Sequence, residues 1–235
     1  MDGKKYDFST PVTEAVWLTA KFECVTHTWG KGIVSKKATC IAPGTLKYTC
    51  KECGKTKTST IYKASGVKLS TVAYAYNGKQ KNPTVVVKDS RGKIISSTNY
   101  TIINPVGRKN VGKYTYTIKF KNQYTGTKKL TFKINPKGTS ISSLTRGSKA
   151  FTVNWKKQSE KMSASRITGY QIQYSTSKKF TNRKTITVTG YSSTSKKITK
   201  LSAKKTYYVR IRTYKTVNGT KYYSGWSTAK SVKTK

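Results

Sequence analysis

The chain has 235 residues, and 48 Lys and Arg against 7 Asp and Glu give it a formal charge of +41 at neutral pH. A chain of this length could be one large domain or two to four small ones, and an apolar content of only 34% fits thin sandwiches with small cores. No apolar run approaches the roughly 20 residues of a membrane span. Seventeen tyrosines, with Thr, Lys and Ser in short alternating runs broken by Gly, favour pleated strands over helices. The expected class is all-β, built as tandem β-sandwich modules behind a small Cys-rich module.

Residues 1–22 close with D-F-S-T-P-V-T-E-A-V-W-L-T-A-K-F. This pattern resembles the last strands of an internalin B-type (Listeria–Bacteroides) repeat. The end of such a unit cannot bury its apolar face alone, which predicts that Phe8, Val12, Val16, Leu18 and Phe22 are partly exposed. The competing reading is a hairpin docked on the next module. Met1 is followed at once by what looks like the middle of a domain, so an export signal is expected upstream.

Residues 23–63 hold all four cysteines and the sole histidine: Cys24, His27, Cys40, Cys50 and Cys53. C-V-T-H and C-K-E-C-G are knuckle spacings, in which a tight loop turns two ligands to one side and the Gly lets the backbone double back. Five candidates are present for the four ligands of a tetrahedral zinc. The run from His27 to Thr58 resembles a small zinc-ribbon-like module of Gram-positive surface proteins. That resemblance implies His27, Cys40, Cys50 and Cys53 as ligands of a structural zinc, with Cys24 as the alternative. Two disulfides stapling a small exported module remain open.

Residues 64–135 predict a second sandwich. V-K-L-S-T-V-A-Y-A-Y opens it, and turns at N-G-K-Q and D-S-R-G-K separate further strands. Tyr114, Tyr116, Ile118 and Phe120 keep an unbroken period of two, and Leu130, Phe132 and Ile134 repeat it. The run from Tyr100 through Asn110-Val111-Gly112 to Phe132 resembles a bacterial immunoglobulin-like domain. Asn135-Pro136-Lys137-Gly138 marks a boundary, because Pro ends a ladder and Gly loosens the link. So short a joint is expected to give a restricted, beads-on-a-string geometry.

Residues 136–235 can be assigned strand by strand. Phe151, Val153 and Trp155 alternate inward, as do Tyr170, Ile172 and Tyr174, with Gln171 and Gln173 outward. Leu201 precedes the strand Tyr207-Val209-Ile211, whose outward face is Tyr208, Arg210 and Arg212. Tyr207 is placed to bury its ring while its hydroxyl reaches main chain. Asn218-Gly219 suits a tight hairpin before the final strand, which is expected to carry Trp226. The tryptophan, the Leu-to-Tyr corner and the terminal strand together resemble a fibronectin type III domain. Tyr223-Ser224-Gly225-Trp226-Ser227 is similar to the Trp-Ser box of cytokine-receptor modules of that family, implying that Arg210 and Arg212 stack on the indole. The rival reading makes Arg210, Arg212, Trp226, Tyr208 and Tyr214 a binding strip for sugars.

The seven acids are scattered among the modules, and His27 is committed to the cysteines, so neither a carboxylate pair nor a Ser-His-Asp triad is expected. Phosphate-binding, dinucleotide-binding and metal-hydrolase motifs are missing as well. The chain therefore reads as a non-enzymatic, monomeric segment of an extracellular or cell-surface protein. The main expectation is a structural or adhesion segment, a spacer that also presents a face to a host surface component. The alternative is an accessory segment of a secreted hydrolase that binds a carbohydrate or polyanion, such as an anionic cell-wall polymer or acidic glycan. No motif for sequence-specific nucleic-acid reading is present.

Overall fold

A computed structural model of the chain describes residues 7–9, 11–15, 17 and 24–235. Val16, Leu18 and Phe22 of the internalin-type pattern lie outside that set, while Phe8 and Val12 are 82% and 65% exposed. The described residues form 17 strands and one 3-10 turn, Ser97–Asn99, so the protein is all-β. None of their helices is long and apolar enough to cross a membrane.

The Cys-rich stretch folds as an antiparallel meander of β1 (Ile33–Lys36), β2 (Gly44–Thr49) and β3 (Thr56–Ile61). Three short strands with few apolar residues cannot enclose a core of their own. The meander leans instead on the next sheet. Ala38 donates to Gln123 O and accepts from Thr125 N, and Ala38 and Ile61 are buried.

The second sandwich joins β4 (Gly66–Leu69) to β6 (Val85–Lys88) and faces them with a four-stranded sheet. In that sheet β5 (Ala73–Ala75) runs parallel to β9 (Thr127–Asn135), followed by β8 (Gly112–Phe120) and β7 (Tyr100–Ile103). The period of two puts Tyr116, Ile118, Phe120, Phe132 and Ile134 in the interior, each at most 8% exposed. Phe132 is the hub, with the rings of Tyr74, Tyr114 and Tyr116 all within 6.0 Å of it.

The third sandwich stacks β10 (Ile141–Gly147), β11 (Ala150–Trp155) and β14 (Ser195–Ile198) on a second sheet. That sheet runs β13 (Lys184–Thr189), β12 (Gly169–Ser175), β15 (Thr206–Val217) and β16 (Thr220–Tyr223). The last strand, β17 (Lys230–Lys233), pairs with the first part of β15. Val153, Tyr170, Ile172, Val209 and Ile211 are fully buried between the layers. The Tyr207 hydroxyl accepts from Ser202 N at 3.2 Å, closing the corner. Asn218 and Gly219 turn the β15–β16 hairpin with φ of 46° and 74°, a conformation that suits these two residues. Trp226 is not on the final strand as expected. It lies between β16 and β17, where the chain leaves regular pairing.

The joint between the two sandwiches is closed, and the bead-like expectation is corrected here. The segment after β11 reaches back: Met162 O accepts from Val111 N, Lys161 O accepts from the Tyr76 hydroxyl, and Glu160 pairs with Lys137. Met162 is fully buried, and its sulfur accepts from Lys137 N at 3.2 Å. Lys215 is 1% exposed, and its Nζ donates to Ser165 O, Ser165 Oγ and Arg166 O within 2.9 Å and fixes the far end of this segment. Most of the buried apolar residues form one cluster running from Ala38 to Val232.

Candidate metal centre and cation–aromatic ladder

Two knuckles meet at one end of the meander. The second, Cys50 to Gly54, caps the β2–β3 hairpin: Cys50 N donates to Lys55 O, Gly54 N to Cys50 O, and Gly54 takes a φ of +70°. The first, Cys24 to His27, is carried in by the main chain after it. Trp29 forms a β-bridge with Cys50, Gly30 N donates to Thr49 O, and Lys51 N donates to Thr28 O. The ligand atoms of Cys24, His27, Cys50 and Cys53 all lie within 4.8 Å of one another. Cys24 Sγ is 4.0 Å from Cys50 Sγ, and His27 Nδ1 is 3.4 Å from Cys53 Sγ. Bonds of about 2.0–2.3 Å around a tetrahedral zinc put its ligands roughly 3.3–3.8 Å apart, so a small contraction would seat an ion. The quartet fits a metal of that size. The sulfurs are far beyond the roughly 2.05 Å of a disulfide.

Cys40, assigned to the quartet from sequence, is not in it. It sits in the β1–β2 connection, at the opposite end of β2 and so about 20 Å from Cys50. There Thr39 Oγ1 accepts from Ile41 N and Ala42 N, and Cys40 packs against the buried cluster. Cys24 takes the fourth place. Its thiol is pushed up to about 11, by desolvation first and then by hydrogen bonds with Cys53 and Cys50. The Cys53 thiol is lowered, chiefly by the backbone N–H of Lys55. Glu52 accepts from the Cys50 thiol and from Thr28 N, bracing the knuckle from outside.

On the third sandwich the segment Tyr223 to Ser227 closes a ladder. Ser224 Oγ accepts from Thr213 N and Ser227 Oγ from Ile211 N, so two serine hydroxyls stand in for carbonyls of a missing strand. This holds Trp226 over β15. The Arg210 guanidinium lies 4.0 Å from the Phe180 centroid and 4.9 Å from Trp226, and Arg212 lies 4.3 Å from Trp226 and 4.0 Å from Tyr223. Directly opposite in register, Gln173 Oε1 accepts from Arg210 Nε at 2.8 Å and Gln171 Oε1 from Arg212 Nε at 2.9 Å. The amide nitrogens then donate to Thr185 and Thr187 of β13. Burial lowers both guanidinium pKa values, as expected for cations whose neighbours are rings and amides.

Phe180, Gln171 and Gln173 are ladder members that sequence reasoning did not assign. The signal was the Gln-x-Gln on one strand facing Arg-x-Arg on its partner. Tyr208 is half-buried. Tyr214, expected to be exposed, is only 3% so. Its ring lies over Gly169, its register partner: a Cβ there would be 2.9 Å from Tyr214 Cε1 and 2.1 Å from Val188 O.

No curated protein matches the chain. Among solved structures it is similar to the FN1-FN3 domains of chicken CNTN1, at 15% identity and a TM-score of 0.36, covering 82% of this chain and 77% of that one. It is also similar to domains A168-A170 of titin, at 16% identity and a TM-score of 0.29, covering 82% and 74%. Residues 135–230 match the family model of the fibronectin type III domain, and the chain carries such a domain over that segment.

Proposed function

We propose that the chain is a non-catalytic structural segment of an extracellular bacterial surface protein, a monomeric spacer built from a metal-bound ribbon and two sandwiches. The modules are taken as 1–22, 23–63, 64–135 and 136–235. The observation that carries the reading is the ladder. The arginines and rings best suited to grip a ligand are each already held by a neighbour, so Arg210, Arg212 and Trp226 stabilise the sheet. Cys24, His27, Cys50 and Cys53 are proposed to hold one zinc. Closed by four protein ligands, it does no chemistry and supplies folding free energy to a ribbon too small for a core.

Extension of the whole chain between its ends tests the spacer. Discrete unfolding steps are expected, the third sandwich releasing about 330 Å of contour. Smooth extension without such steps overturns the reading. A second reading, affinity for anionic polymers, is favoured by the scarcity of neutralising contacts. The described residues contain two carboxylate–cation pairs, Arg91–Asp89 and Lys137–Glu160, against a formal charge of +41 over the whole chain.

A further inference from the structure

The cations are not equally placed to act together. β8 and β9 are nine residues each and pair without a bulge over eight positions, which makes a continuous face roughly 30 Å long. Their inward residues are the aromatic core. On the outward face Lys113 stands directly opposite Lys133, Thr115 opposite Thr131, and Thr117 opposite Lys129, with Lys119 one step further on. All four lysines are exposed, and neither ion pair of the described residues involves them.

Like charges directly opposite on neighbouring strands repel and destabilise a sheet. Lys113 and Lys133 would be poor choices for a face whose task is only to stay soluble. An anion bridging the pair reverses the sign of that term. Successive outward rows are about 6.8 Å apart along a strand, and threonine hydroxyls fill the row between the lysine rows. Aromatic rings are confined to the inner side of these two strands, so the outer face offers nothing for bases or sugar rings to stack on.

We infer that the outer face of the β8–β9 pair is a binding face for a linear phosphate polymer lacking bases, laid along the strands with Lys113, Lys133, Lys129 and Lys119 meeting successive phosphates. This rests on the reading that the cationic surface takes polyanions, and it moves the binding face from the arginine ladder to the second sandwich.

The test uses the whole chain and inorganic polyphosphate as probe, titrated between about 50 and 200 mM salt. The triple variant Lys113→Gln, Lys129→Gln, Lys133→Gln is compared with Lys178→Gln, Lys196→Gln, Lys197→Gln, which removes three exposed lysines of the third sandwich. The face variant should bind about tenfold or more weaker at low salt, with a salt slope shallower by about 2, and the control should change less than threefold. Polyphosphate should also shield Lys113, Lys129 and Lys133 of the unaltered chain from acetylation while Lys196 and Lys197 stay reactive, a readout that does not depend on a variant folding. Equal losses in both variants, or uniform shielding, overturn the face and leave general polyanion binding standing. If the unaltered chain binds no polyphosphate at low salt, both readings fall. Tighter binding of heparin or single-stranded DNA than of polyphosphate overturns the assignment to a base-free phosphate chain.

Discussion

Met162→Ala should separate the two sandwiches. The side chain is fully buried beside the joint, its sulfur accepts from Lys137 N, and its carbonyl accepts from Val111 N in the neighbouring sandwich. Truncation removes three heavy atoms of buried thioether. Losing burial of a Met side chain is worth about 1.5–3 kcal/mol, and an unfilled cavity brings large-to-small changes to about 2–5 kcal/mol. The segment is tied at both ends, by Glu160–Lys137 and by Lys215, so it cannot readily collapse into the space. The upper half of that range applies. Calorimetry of the whole chain should show the residues from 64 onward melting together, and the variant should melt in two separated transitions. A loss under about 0.5 kcal/mol, or the same melting profile for both proteins, would refute a joint held by this segment.

Removing Cys24 should cost the metal and removing Cys40 should not: Cys24→Ser is expected to fall well below one zinc per chain by elemental analysis, while Cys40→Ser keeps about one. Gln171→Ala strips the acceptor from Arg212, and Arg212→Lys loses both the fork and the stack. Each should lower urea stability by about 1 kcal/mol, the modest end for half-exposed contacts. Burial raises the pKa of Tyr114, Tyr124, Tyr170 and Tyr174 above the usual 10.0. For such groups the unfolded chain loses its proton first, so their contribution is complete below pH 10 and fades as pH rises through the folded values. Lys215, lowered by burial, acts in the opposite sense. Four tyrosines against one lysine should give net alkaline unfolding, with part of the tyrosinate absorbance appearing only as the fold is lost.

Strand faces were legible because a period of two is local. Phe151, Val153 and Trp155, or Tyr207, Val209 and Ile211, sort themselves without reference to any partner, and all are buried. What depends on a partner was not legible. Tyr214 has the outward parity of Arg212, yet it is covered because a glycine happens to stand opposite it. Knuckle spacing identified Cys50 and Cys53, but nothing in it tells which end of a ribbon another cysteine occupies. Cys40 lies one strand length away from the pair it was grouped with.

The joint shows the same limit from the other side. K-K-Q-S-E-K-M-S-A-S-R, the segment after Trp155, is polar and reads as a solvated loop. Its one large apolar residue, Met162, is also its one fully buried residue. A lone methionine carries no periodicity, so burial there follows from the neighbouring sandwich and not from the segment itself. Lys215 is the converse. Its position continues the inward series of Tyr207, Val209 and Ile211, and parity alone places a lysine in the interior. A buried ammonium is tolerable only where acceptors surround it. The three oxygens of Ser165 and Arg166 supply them, and in doing so they turn a loop into the brace between two sandwiches.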